Sequence, residues 1–108
     1  MQSCQSYAPS VVWAIDFEWN EAKSHRNRLD RGFGFDLASL IFAGPVLEVE
    51  DRRYDYGERR MRAIGEVEGL TLFVVYTDRG DVRRIISARP AKQKERQLWR
   101  LFAEAWNR

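Results

Sequence analysis

Residues 51–89, DRRYDYGERRMRAIGEVEGLTLFVVYTDRGDVRRIISAR, hold nine of the fifteen arginines in this 108-residue chain. Arginine carries a permanent charge on a planar fork that grips phosphate or carboxylate through two parallel hydrogen bonds. The whole-chain balance of 18 basic against 16 acidic residues hides this, because only Lys23, Lys92 and Lys94 are lysines. A surface of such arginines binds the backbone of RNA, and neighbouring aromatic rings can stack on its bases. The competing reading is structural: the same arginines can pair across strands with Glu48, Glu50, Asp51 and Glu58.

Cleavage of RNA requires a base for the 2′-hydroxyl, positive charge on the phosphorane and an acid for the leaving oxygen. Arginine supplies the second but does not release its proton near neutral pH. His25 is the single imidazole, and Tyr54, Tyr56 and Tyr76 are the other candidate proton carriers. Glu58, beside Arg59, is open to either a catalytic or an ion-pair role. Arg89 precedes Pro90 at a strand end, where the amides of a following helix can also face an anion; Glu95 supports that helix. With Cys4 and His25 alone of their kinds, no structural zinc and no cofactor are expected.

These side chains need a frame. Residues 1–10 have no apolar period and read as a flexible tail, leaving 11–108 as the single domain. Residues 11–19 alternate Val11, Trp13, Ile15, Phe17 and Trp19 against polar partners, the pattern of a half-buried strand. Asn20 is placed to cap a helix over 21–30 that Gly32 ends, and Asp36 to cap a second, whose Leu37, Leu40, Ile41 and Phe42 face the core. Gly44-Pro45 stops it. Strands follow over 46–50, 59–68, 70–77 and 82–88, with Gly69 and the 78–81 loop as tight connections.

Pro90 suits the first turn of a last helix reaching Trp106, with Leu98, Leu101, Phe102 and Ala105 as one stripe against the sheet. The order β-α-α-β-β-β-β-α predicts an α+β fold, an antiparallel sheet with helices on one face. Strand parity puts Arg83, Ser87 and Arg89 beside Ile85, so Arg83 and Arg89 are expected on one basic surface. Arg60 and Arg62 share a face of the neighbouring strand.

At this length the chain buries roughly 65% of its unfolded surface, enough for one core. A hydrophobic share of 44% argues against disorder. No apolar run reaches the length of a membrane helix and the start lacks a secretory pattern, so the cytoplasm is the expected compartment.

Four motifs in order, FEWNEAKSHRN (17–27), EVEDRRYDYGERRMRAIG (48–65), LFVVYTDRGDVRRIISAR (72–89) and AKQKER (91–96), closely resemble the BrnT toxins. The resemblance runs from about Trp13 to Trp99. It implies a fold similar to the RelE ribonucleases and an endoribonuclease, independent of metal, that arrests translation and growth. It also implies an antitoxin partner with a ribbon-helix-helix DNA-binding domain, so DNA is met only through that partner. The matching positions are Trp19, Lys23, Arg59, Arg83, Arg89 and Glu95. Phosphate binding and charge stabilisation fall to Arg59, Arg83 and Arg89, with Glu95 beside them, and RNA contact to Trp19, Lys23, Arg60 and Arg62. One departure stands out: where the family reads Asn-x-x-Lys-His-Gly, this chain has Asn27-Arg28-Leu29-Asp30-Arg31-Gly32. Either that pair is dispensable, or this homologue is a weak or inactive module that binds RNA and antitoxin.

Overall fold

A computed structural model of the chain describes residues 15–106. The expected tail at 1–10, and residues 11–14 of the first expected strand, lie outside them. The elements are β1 (Asp16–Trp19), α1 (Glu21–Arg31), α2 (Phe35–Ser39), a 3-10 turn (Leu40–Ala43), β2 (Leu47–Asp51), β3 (Arg60–Val67), β4 (Leu70–Arg79), β5 (Val82–Pro90) and α3 (Gln93–Trp106). They form one five-stranded sheet, ordered β1-β5-β4-β3-β2. This is the expected α+β class. No helix among the described residues is long and apolar enough to cross a membrane.

The strands β2 to β5 form an antiparallel meander, but β1 pairs with β5 in parallel, from Asp16 opposite Val82 to Trp19 opposite Ile85. The sheet is therefore mostly, not wholly, antiparallel. The α1–α2 segment crosses a full face to deliver β2 to the far edge, which leaves β1 beside the last strand.

Local chemistry explains the helix ends. The Asn20 side chain accepts from the Lys23 amide at 3.0 Å, and Gly32 closes α1 in the left-handed region at φ 88°. The second cap differs from expectation: Gly34 precedes α2, and Asp36 lies inside its first turn, bonded to Arg28 at 3.2 Å. Ser24, the buried residue of α1, instead accepts the Phe35 amide at 2.9 Å. A side chain at 34 has no room, since a Cβ there would stand 2.9 Å from the Ser24 hydroxyl and closer still to Arg28.

The core lies between one sheet face and the α2 segment. Phe35, Ala38, Ile41 and Phe42 pack on Ala63, Leu72, Val74, Tyr76, Ile85 and Ala88. Leu40 points outward, 49% exposed. A Cβ on Gly65 would fall 2.8 Å from that of Ile41, so glycine lets the 3-10 turn rest directly on β3.

The last helix is not on that face. Glu95 of α3 bonds Arg89, which lies over Phe73, and Phe73 alternates with the core residues Leu72 and Val74. Helices thus cover both faces, and the expectation of a single covered face does not hold. The stripe is rotated as well: Trp99 is buried and Phe102 half-buried, whereas Leu98 and Leu101 are 54% and 65% exposed. Trp99, Phe102 and Trp106 recur at i, i+3 and i+7 with rings 5.5 and 6.2 Å apart, and a tryptophan removes more apolar area from water than a leucine. Pro90 closes β5 instead of opening the helix, which starts at Gln93. Glu95 reaches back to the Lys92 amide at 2.7 Å, the acidic half of a capping box.

A β-bulge decides where the arginines go. Tyr76 pairs with Ile85 but Val75 pairs with Ser87, so Ile86 is an extra residue in β5. Alternation inverts across it. Arg83 and Ile85 face the α2 side; Ser87 and Arg89 face the α3 side, and Ala88 turns into the core. The expected single surface for Arg83 and Arg89 is therefore split between opposite faces.

Candidate active site

At one end of the sheet, the β2–β3 connection, the β4–β5 turn and the start of β1 come together, and most of the block's arginines with them. Asp51 anchors this end. Buried itself, it accepts from Arg53 twice at 2.8 Å and from the Tyr56 hydroxyl at 3.1 Å. The Arg53 hydrogen bond holds the Asp51 carboxyl well below the usual carboxylate range, against the opposing pull of burial. The Thr77 hydroxyl donates to the Arg59 carbonyl at 2.6 Å, fixing the far end of the same loop on β4. Glu58 receives Arg79 at 3.1 Å and stands 3.7 Å from Arg60, whose guanidinium lies 4.2 Å over Tyr56.

On the α2 face, Arg83 is the centre. Its guanidinium lies 4.1 Å from the Tyr76 ring centroid and 4.8 Å from that of Phe42, and it makes a bidentate pair with Asp78 at 2.8 and 3.0 Å. Tyr76 in turn donates its hydroxyl to Glu48 on the edge strand β2. Burial, then the Glu48 hydrogen bond, push the Tyr76 phenol far above its ordinary range, so it stays protonated at neutral pH. Glu50, one pleat along β2 on the same face, holds Arg59 at 3.6 Å. A permanent cation, a phenol that keeps its proton and an exposed carboxylate thus share one rim, with a second guanidinium beside them. That set can hold a phosphodiester and accept a proton from a hydroxyl.

The remaining expected site residues lie elsewhere. Arg89 and Glu95 form a bidentate pair, both bonds 2.9 Å, on the opposite face. Glu95 already occupies the helix start where an anion was expected, and Arg89 lowers its carboxyl pKa. Lys23 donates to the Ile86 carbonyl at 2.7 Å, so it secures the bulge. Trp19 is half-buried and packs against the core. Arg60 and Arg62 point to the α3 face. His25, Asp30 and Arg31 are exposed on α1.

The contribution that sequence reasoning missed is the linkage of Tyr76 to Glu48. The sequence offers Tyr76 as a proton carrier and Glu48 as an ion-pair partner, but they stand 28 positions apart. Only the strand register joins them.

None of the curated proteins compared matches the chain. The family described as "Ribonuclease toxin, BrnT, of type II toxin-antitoxin system" matches residues 19–95. That span runs from Trp19 in β1 to Glu95 in α3 and takes in Glu48, Tyr76 and Arg83; the chain belongs to the BrnT family of ribonuclease toxins.

Proposed function

We propose that this chain is an endoribonuclease whose active site is the Arg83–Tyr76–Glu48 rim. It arrests translation and growth in the cytoplasm until a protein antitoxin with a ribbon-helix-helix DNA-binding domain neutralises it. The observation that carries this is the seating of Arg83 on Phe42 and Tyr76 with Glu48 hydrogen-bonded alongside. In the reaction, the Glu48 carboxylate takes the proton of the 2′-hydroxyl. The oxygen then attacks phosphorus, the bond to the 5′ oxygen breaks and that oxygen is protonated from water. The products carry a 2′,3′-cyclic phosphate and a 5′-hydroxyl. Arg83 and Arg59 neutralise the charge that builds on the phosphorane, so the scheme assigns no step to a metal. Tyr76 is a positioning residue that orients Glu48.

The test is cleavage of total RNA by the purified chain in the presence of EDTA, with Arg83→Ala, Glu48→Gln and Tyr76→Phe beside it. Loss of cleavage in the first two variants, with a partial loss in the third, is the expected result. A wild-type chain that binds RNA but leaves it intact favours the second reading, an inactive binding module. The observation behind that reading is Asp30-Arg31 at the end of α1, in place of the family's Lys-His.

A further inference from the structure

Of the nine arginines in residues 51–89, eight have a carboxylate within salt-bridge distance. Arg62 is the exception among the described residues; its Nε, like that of Arg60, is shut away from solvent without a hydrogen-bond partner, but Arg60 has Glu58 beside it. A buried guanidinium N–H left unsatisfied costs more than an ordinary missing contact, so its surroundings are the place to look for an absent acceptor.

Those surroundings form a groove. Arg62 lines an open cleft of about 320 Å³ on the α3 face, with Leu47, Val49, Ile64, Phe73 and Leu98. Two of its walls are apolar side chains turned to water, Val49 at 56% and Leu98 at 54% exposed. Leu101, one turn beyond Leu98 on α3, extends the same apolar strip. Its other boundary is β2, which among the described residues pairs only with β3 and so stands at the edge of the sheet.

We propose that this groove is the docking site of the antitoxin, which inserts an amphipathic segment whose apolar side chains fill the cleft and whose carboxylate meets Arg62. The inference rests on the toxin–antitoxin reading and adds to it the surface and the chemistry recognised. An RNA strand fits the cleft less well. Its lining is mainly aliphatic and aromatic, and it offers Arg62 as its one cation, where the backbone of a strand needs a succession of them. Glu48 also borders the cleft, on the strand edge that carries it to Tyr76. A segment lying here therefore reaches the margin of the catalytic rim from the opposite face, without having to enter it.

The experiment measures binding of the antitoxin of the same pair to the purified chain by titration calorimetry. The variants are Leu98→Asp, Val49→Asp, Arg62→Ala and Arg62→Lys, with Arg83→Ala as the control on the other face. Leu98 and Val49 are exposed, so thermal melting should show the aspartate variants folded. The expected result is a loss of at least 100-fold for either aspartate, about 10-fold for Arg62→Ala, partial rescue by lysine and less than threefold for Arg83→Ala. Wild-type affinity in all four groove variants overturns the proposal while leaving the antitoxin reading intact. Absence of binding by the wild-type chain removes the antitoxin reading itself. Loss of RNA affinity in Arg62→Ala, with antitoxin affinity unmoved, assigns the groove to RNA and also overturns the proposal.

Discussion

Arg83 lies over two aromatic rings and grips Asp78; Arg89 lies over Phe73, 4.1 Å from its centroid, and grips Glu95. Both sit on β5, and each makes a bidentate carboxylate pair. Their acids differ. Glu95 is 20% exposed and also accepts the Lys92 amide, so moving it would undo the start of α3. Asp78 is 49% exposed, next to the β4–β5 turn, and among the described residues receives only Arg83. An incoming phosphate can displace Asp78 at little cost, whereas displacing Glu95 breaks a helix cap and the joint between helix and sheet. The same side-chain pairing is thus a replaceable contact on one face and a structural fastening on the other.

The largest expected effect separates these roles directly. Arg83→Ala should lower RNA cleavage by about 10²–10³, the usual consequence of removing one donor to a transition-state oxyanion. Its melting temperature should fall less than that of Arg89→Ala: Arg83 also covers two rings, but Asp78 stays solvated without it and no helix start depends on the pair. A matched fall in activity and stability for Arg83→Ala would erase the distinction.

Arg89→Ala is expected to cost about 2–3 kcal/mol of stability, since it strands a partly buried carboxylate and uncovers Phe73. Denaturant titration would measure this. Cleavage per folded molecule should stay near wild type, and a specific loss of turnover would return Arg89 to the catalytic group.

The pH dependence of Glu95 is a finer test. Arg89 lowers its carboxyl pKa in the folded chain, so the unfolded chain binds the proton more readily. The resulting stability is present above the unfolded value of about 4.3 and is lost as pH falls through the lower folded value. The stability gap between wild type and Glu95→Gln should therefore be widest near neutrality and close below about pH 4. Asp51 has the same sign, so its asparagine variant should narrow in the same direction. A gap that widens with acid would refute the assignment.

The smallest effect concerns the exchangeable acid. Asp78→Asn should strengthen RNA binding by a few-fold at low salt, because a competing carboxylate is removed from Arg83. Glu95→Gln should leave RNA affinity unchanged. Equal responses would mean that neither pair is displaced by phosphate.

Much of this organisation is readable along the chain. The Asn20 cap, the Gly32 stop and the apolar run before Thr77 are local signals, and each leads to an element close to the expected place. The density of arginine in residues 51–89 is legible too, and eight of the nine find a carboxylate within the chain. Pro90 and the α3 stripe lie elsewhere than local rules predict, because those rules allow more than one answer. A proline fits a strand end as well as a helix start, and two overlapping apolar stripes, one through Leu98 and one through Trp99, satisfy the helical period.

The division between Arg83 and Arg89 is of another kind. Period-2 parity assigns both to one face, and a single extra residue at Ile86 reverses that for every position after it. The bulge leaves no mark in residue type. It depends on Lys23, 63 positions earlier, reaching the Ile86 carbonyl, and on Ala88 turning inward to the core. Composition and spacing alone determined that the chain folds as α+β and carries a dense set of arginines. Which arginine faces a phenol and a carboxylate, and which fastens a helix, was decided only by tertiary structure, because strand register and the bulge are set by contacts between segments distant along the chain.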